Sequence, residues 1–496
     1  MKPLWDHQTK AIALLRDELR TGGKRVVLQL PTGSGKTRLA AEIINMARAK
    51  GNRVIFTVPA ISLVDQTAQA FYEEGIREIG VLQAQHAMTD PEQPVQIASI
   101  QTLARRQIPP AKLVMVDEAH RMSQFVTDWM GRDEWWGIPF VGLSATPWAK
   151  GMGRLYDRLI IGATTRELID AGHLCDFVVY APAEKPDLSQ VRTVAGDYHE
   201  GDLSKVMNQK VLVADIISTW LEKAEGRPTL VFSVDRAHAA HLQSEFEKAG
   251  VRAGYIDANT PLDEREITRR KLDRGDYQVV CNVGCLTTGV DWDVRCIVLA
   301  RPTKSEMLYV QIVGRGLRTA KGKDRLLLLD HSESTKKLGF VTDIHHSRLS
   351  EGKLADHANV EVLDKEPPKP KECPSCRLLV PIGVYVCPNC GFQAKRPNKV
   401  ETQDGELVEL DSKRQAKAKR EATPSEKRQF YAELLGYAEM YGKTEKWALA
   451  NFRDRYGEWP YNSRHAISEE PSLLTRAWVK QKQIAYAKKM ETRRAV

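Results

Sequence analysis

The sequence predicts an α/β protein of two parallel-sheet lobes in tandem, followed by a small four-cysteine module and a C-terminal α-helical domain. Three observations predict it. Continuous apolar runs alternate with helix-like stretches through residue 345, four cysteines fall in two C-x-x-C pairs, and the last segment is rich in Lys, Arg and aromatic residues at helical spacing. A chain of 496 residues holds about three domains, each able to bury a core. Hydrophobic residues make up 42% and charged ones 28%, a globular balance that excludes a disordered, collagen-like or coiled-coil protein. No apolar run approaches the ~18 residues of a membrane span. The start, Met1-Lys2-Pro3-Leu4-Trp5-Asp6-His7, lacks the apolar stretch of a signal peptide. A cytoplasmic location and no membrane partner are expected.

The first lobe rests on the runs Val26–Leu30, Val54–Val58, Leu113–Val116 and Phe140–Leu143, the second on Leu230–Phe232, Val279–Cys281, Ile297–Leu299 and Leu326–Leu329. Hydrophobicity that does not alternate marks parallel strands buried on both faces, and strands alternating with helices give an α/β fold. The lobes are expected at 1–165 and 166–345, with Thr165–Tyr180 carrying the chain across.

Composition then changes. A linker at 346–371 ends in Lys365-Glu366-Pro367-Pro368-Lys369-Pro370-Lys371, a module at 372–394 holds Cys373, Cys376, Cys387 and Cys390, and 395–422 is a basic polar linker. Two C-x-x-C turns ten residues apart place four thiolates around a tetrahedral ion. Zn²⁺ suits the site best and iron fits the same geometry. Four thiolates leave no open position, so the ion is expected to be structural; contact with nucleic acid and bracing of the tail both remain open. Cys175, Cys281, Cys285 and Cys296 are scattered and read as small core side chains. With no secretion signal, disulfides are not expected for either set.

A helical domain is expected at 423–496. Thr423-Pro424-Ser425-Glu426 has the form of an N-terminal capping box, and further helices are expected around Glu445–Tyr456 and Ser472–Lys489. The net charge is +9, and residues 412–496 carry 19 basic against 10 acidic side chains, so the rest of the chain is neutral. That concentration points to a nucleic-acid partner. The segment also holds 11 aromatic residues; they suit either a base-stacking surface or the core of a small helical fold, which their spacing favours.

The chemistry lies in the first lobe. Gln29-Leu30-Pro31-Thr32-Gly33-Ser34-Gly35-Lys36-Thr37 follows an apolar run and opens a helix expected over 38–50. Thr32, Gly33, Ser34 and Gly35 let backbone N–H groups wrap phosphate oxygens, Lys36 reaches the β- and γ-phosphates, and the Thr37 hydroxyl holds Mg²⁺. Leu30 stands where the strict pattern has Gly. The run Leu113-Val114-Met115-Val116 ends in Asp117-Glu118, at the strand end where α/β sheets present ligands. Asp117 is the expected second Mg²⁺ ligand, and Glu118 the base for an attacking water.

Asp117-Glu118-Ala119-His120, with Ser144-Ala145-Thr146 after another strand, resembles the superfamily 2 DEAD/DEAH-box helicases. Other motifs of that family follow in order. Trp5-Asp6-His7-Gln8 is similar to the adenine-reading motif, with Gln8 as the base contact. Val58-Pro59-Ala60 and Ser99-Ile100-Gln101-Thr102 resemble strand-contacting motifs, and Val231-Phe232-Ser233 the fourth motif. Thr287-Thr288-Gly289-Val290-Asp291 resembles the fifth, and Gln311-Ile312-Val313-Gly314-Arg315-Gly316-Leu317-Arg318 the sixth. The resemblance covers about residues 1–345 and implies RecA-like lobes with ATP between them. It further implies that Arg315 and Arg318, on one helix face, stabilise the transferred phosphoryl group. Gln311 would contact the γ-phosphate or its water, Asp291 the ribose, Ser144 and Thr146 the coupling path, and Thr102 and Thr287 the nucleic acid. Within the superfamily the chain looks most like XPB/UvsW-type DNA helicases and their phage-borne relatives, which implies a bacterial or phage-infected cell.

The expected function is an ATP-dependent helicase or translocase, with ATP, Mg²⁺ and Zn²⁺ as cofactors and single-stranded or forked DNA as partner. It would serve replication, repair or recombination, and a protein of one of those pathways is a candidate partner for the C-terminal domain. The alternatives are an RNA helicase, a duplex translocase that does not separate strands, and a nucleic-acid-binding scaffold with a dead nucleotide site. Intact Lys36, Asp117, Glu118 and Arg318 argue against the last.

Overall fold

A computed structural model describes residues 3–83, 86–286, 292–352, 368–393, 423–460, 466–472, 475–476, 478–480 and 482. The chain divides into two compact units, Met1–Pro397 and Asn398–Val496. In the first, seven strands form a wholly parallel sheet: β1 (Arg25–Gln29), β2 (Val54–Val58), β3 (Ile79–Val81), β4 (Val95–Ser99), β5 (Leu113–Asp117), β6 (Phe140–Ser144) and β7 (Arg158–Ile161). Their order is β3-β4-β2-β5-β6-β1-β7. Val26 and Leu28 of β1 enter one apolar cluster with helices Asp6–Arg20, Lys36–Arg48 and Val64–Glu73. Val27 enters another with Val126, Trp129 and Met130 of helix Gln124–Met130. Burial on both faces explains why the strands read as continuous apolar runs.

The second sheet holds β8 (Asp176–Tyr180), β11 (Thr229–Phe232), β12 (Ala253–Ile256), β13 (Val279–Asn282), β14 (Cys296–Leu299) and β15 (Arg325–Asp330). A short hairpin, β9 (Thr193–Val194) and β10 (Asp197–Tyr198), lies apart from it. The order is β12-β13-β11-β14-β15-β8, all parallel. Leu230, Val280, Ile297 and Leu328 face one cluster, Val231, Cys281, Val298 and Leu329 the other. Buried Cys281 and Cys296 are core side chains, and burial pushes the Cys296 thiol up to about 12.

Two expectations change. The crossing segment Thr165–Tyr180 is no connector throughout: after helix Thr165–Asp170 it becomes β8, the edge strand beside β15. The linker expected from residue 346 begins as a packed strap. Phe340, Val341 and Ile344 belong to the second lobe's core, whereas Leu349 packs on the first lobe's. Ser350 O accepts from Gly153 N at 2.9 Å, and His346 lies against Trp148 and 2.7 Å from Glu306.

In the cysteine module β16 (Lys371–Glu372) pairs antiparallel with β17 (Leu379–Val380). The second unit contains helices Pro424–Met440 and Glu445–Tyr456. Thr423 Oγ1 accepts from Glu426 N, and Glu426 Oε2 accepts from Thr423 N at 2.7 Å, which is the capping box read in the sequence. Phe430, Tyr431, Tyr437 and Phe452 are buried together, while Tyr441 and Trp459 are exposed. Most described aromatics of this unit are therefore core. The basic runs at 413–420 and 488–494, Tyr461, Tyr486 and most of the third expected helix lie outside the described residues. Among the described residues no helix is long and apolar enough to cross a membrane.

Candidate nucleotide site and metal centre

Strands β5, β6 and β1 are neighbours, so their C-terminal ends bring three loops together. The loop after β1 turns through Gly33 (φ 86°) and Gly35 (φ 77°), and Gly35 is the N-cap of helix Lys36–Arg48. Both values lie in the left-handed region that glycine adopts without steric cost. A Cβ on Gly35 would also collide with the Gln8 side chain, which donates to the carbonyls of Ser34 (3.1 Å) and Gly35 (3.2 Å). His7 Nε2 lies 2.9 Å from Ser34 O, so the helix Asp6–Arg20 supports the loop from below.

One cavity of about 480 Å³ is lined by Thr32, Gly33, Gly35, Lys36, Thr37, Asp117, Glu118, Arg315, Arg318, Trp5 and His173. Lys36 Nζ donates to the carbonyls of Leu30 and Pro31, each at 3.2 Å. Burial lowers its pKa against the opposing pull of Glu118 and Asp117. Burial, then the neighbouring Glu118 charge, push Asp117 up to about 7. Glu118 has φ 48°, a strained value for a residue with a side chain. Its buried Oε2 has no hydrogen-bond partner among the described residues and lies 3.4 Å from His120 Nδ1. Buried Ser34 Oγ is also unpartnered there. A glycine cradle at a helix N-terminus, a cation and two carboxylates facing one cavity fit a triphosphate with its Mg²⁺.

The second lobe closes this cavity through helix Glu306–Gly316. Arg315 is its penultimate residue; Arg318 lies beyond the helix end, in an antiparallel bridge with Leu174. The shared helix face expected of the two arginines is instead a shared cavity wall. Gln311 turns to the first lobe: its Nε2 is 3.0 Å from His120 Nε2 and 3.0 Å from Thr146 Oγ1. His120 Nδ1 lies 2.9 Å from Ser144 Oγ, which accepts from Thr146 N at 3.0 Å. Burial lowers the His120 pKa, favouring the neutral ring this chain of hydrogen bonds needs. Thr102 belongs to the cap of helix Ile100–Leu103, its hydroxyl 2.9 Å from Ser99 Oγ. Thr287 and Asp291 lie outside the described residues.

Sequence reasoning did not single out His120 as the link between lobes, nor the stacked pair Trp5–His173, with ring centroids 4.3 Å apart. His120 stood in a quoted motif and could have been found there. Nothing in the sequence pairs Trp5 with His173.

The four cysteine Sγ atoms lie within 4.8 Å of one another, with Cys373–Cys390 at 3.7 Å and Cys376–Cys387 at 3.6 Å. Zn–S bonds of ~2.3 Å in a tetrahedron set the sulfurs about 3.8 Å apart, so the cluster fits a Cys₄ zinc site.

A two-lobed parallel-sheet protein with a phosphate loop on one lobe and arginines from the other has the architecture of a superfamily 2 helicase. The model for the type III restriction enzyme res subunit matches residues 1–147, and that for the helicase conserved C-terminal domain matches 209–320. The chain is similar to IRC3 of Saccharomyces cerevisiae, which carries the name of an ATP-dependent helicase, at 30% identity over 66% of this chain and 51% of that protein. It is also similar to a 51.5 kDa protein of a Lactococcus phage, at 27% identity over 79% of this chain and 84% of that one. Among solved structures, a fragment of an HsdR-type subunit of a type I restriction enzyme from Vibrio vulnificus shares the fold, with a TM-score of 0.53 and 19% identity over 67% of this chain and 65% of that one. The chain thus carries the two motor domains of the superfamily 2 helicases, an ATP-hydrolysing class, and spans about half the length of the yeast relative.

Proposed function

We propose that the protein is an ATP-dependent DNA helicase or translocase. The observation that carries this reading is the single cavity in which Lys36, Asp117 and Glu118 of one lobe meet Arg315 and Arg318 of the other. The amides of Thr32, Gly33, Ser34 and Gly35 wrap the phosphates, Lys36 holds the β- and γ-oxygens, and Thr37 and Asp117 hold Mg²⁺. When bound, the ion offsets charge between the β- and γ-phosphates. Glu118 orients a water and accepts its proton, and the two arginines stabilise charge on the transferred group. Asp291 contacts the ribose, and Thr102 and Thr287 the strand, while Gln8, buried and bonded through both ends of its amide to Trp5, Ser34 and Gly35, holds the phosphate loop instead of reading adenine. Gln311, His120, Thr146 and Ser144 join the lobes directly behind Glu118, so a change at the base reaches the second lobe.

DNA is favoured over RNA by the motif likeness to XPB/UvsW-type helicases, which also suggests a phage or bacterial setting. Four unbridged thiolates suit a reducing cytoplasm and a bound Zn²⁺. Strand displacement on forked DNA, blunt duplex and RNA, each with and without ATP, tests this reading. Displacement of the forked DNA alone is expected; displacement of RNA alone would make the protein an RNA helicase, and movement on duplex without separation a translocase.

A further inference from the structure

The cysteine module and the nucleotide cavity are joined by one strand. β8 is paired with β15 on one side only, and the module meets its other side at the C-terminal end. Tyr180 forms an antiparallel bridge with Leu378, and Ala181 N donates to Arg377 O at 3.0 Å. Val178 and Tyr180 pack against Cys373, Leu378, Val380 and Cys387. Glu372 pairs with Lys185 (3.3 Å) and Lys336 (3.5 Å) of the lobe. An open β-edge is otherwise exposed to water and to foreign strands. The turn that offers the Arg377 carbonyl is the knuckle that spaces two of the sulfurs: Arg377 adopts φ 62°, and its N–H donates to Cys373 O at 2.9 Å.

The residues leading into β8 reach the cavity. Cys175 N donates to Leu317 O at 2.8 Å, Leu174 bridges Arg318, and a Cβ on Gly33 would lie 2.8 Å from Leu174 Cδ2. His173 stacks on Trp5 in the cavity wall.

We propose that the Cys₄ metal is a clasp on the second lobe: the ion fixes the Cys373–Cys376 knuckle against β8, and β8 holds Leu317 and Arg318 in place at the nucleotide cavity. This rests on the reading of the cysteine cluster as a metal centre. A module of this size does not hold a tight knuckle unaided, because its apolar core is too small to offset the entropy of ordering it. The clasp assigns the module to the motor itself, where sequence reasoning left bracing of the tail and nucleic-acid contact open.

The test uses the full chain. Zinc is measured by elemental analysis, and amide exchange is followed before chelation, after it, and after Zn²⁺ is restored. One variant, Leu378→Asn, leaves the four ligands in place. Bound zinc is expected, and its removal should speed exchange across 173–181 and 371–380 by about tenfold or more, reversibly, leaving 113–117 unchanged. Leu378→Asn should keep its zinc and loosen 176–181. Zinc loss that loosens 371–393 but leaves 173–181 protected would overturn the clasp while sparing the metal centre. A chain that binds no zinc or iron would overturn both.

Discussion

Glu118 combines a left-handed backbone, a buried oxygen without a hydrogen-bond partner among the described residues and a place in the inter-lobe cavity. Strain of that kind persists where surrounding structure holds it, at about 1–3 kcal/mol. Glu118→Gln keeps the shape of the side chain and removes its basicity. We expect this variant to bind ATP as the wild type does and to hydrolyse it about 100-fold slower or worse, read as phosphate release beside nucleotide affinity. Normal turnover would show that another group takes the proton. Gln311 makes a different test. It bonds His120 and Thr146 across the lobes, so Gln311→Ala should keep ATP affinity within a few-fold while nucleic acid loses most of its power to stimulate hydrolysis. Unchanged stimulation would remove Gln311 from the coupling path.

At the scale of elements, the helix Glu306–Gly316 meets the phosphate loop at Gly314, where a Cβ would lie 2.8 Å from Thr32 Cβ. Gly314→Leu should leave each lobe folded and lower kcat/KM for ATP about tenfold or more, because the arginines can no longer close on the phosphates. Elsewhere in the second lobe, His238 of helix Arg236–Lys248 is buried, and Val234 N donates to its Nδ1 at 3.3 Å. Burial holds its pKa near 4, below the ordinary 6.5. The unfolded chain therefore takes up a proton that the folded lobe refuses. Stability is full above pH 6.5 and falls as pH drops toward 4, by roughly 2 kcal/mol between pH 7.5 and 5. Denaturation midpoints should show that loss, and His238→Asn should remove most of it. The elements around the site were legible where one contiguous segment carries both a strand and its loop, as at Val26–Thr37 and Leu113–His120. Short or polar strands such as β3 and β4 offer no apolar run to read, and β8 lies in a segment whose position between the lobes reads as a connector. Pairings such as Gln311 with His120, or Leu349 with the first lobe's core, arise only when the lobes pack, and no local periodicity encodes them.

For the whole molecule, charge and motor are separate. The excess of nine positive charges falls within residues 412–496, while the rest of the chain is neutral. Contacts in a helicase groove go largely to phosphates and sugars through backbone amides and small hydroxyls, so a neutral motor is able to bind. A basic tail adds counterion release. Removing 412–496 should weaken DNA binding and flatten its dependence on salt; an unchanged slope would give the tail a structural or protein-binding role. The central claim, an ATP-dependent helicase or translocase, meets its most direct test in the rate of ATP hydrolysis with and without single-stranded DNA at low salt. We expect DNA to raise that rate about tenfold or more, with the increase abolished in Glu118→Gln. A rate that no DNA or RNA alters would contradict it.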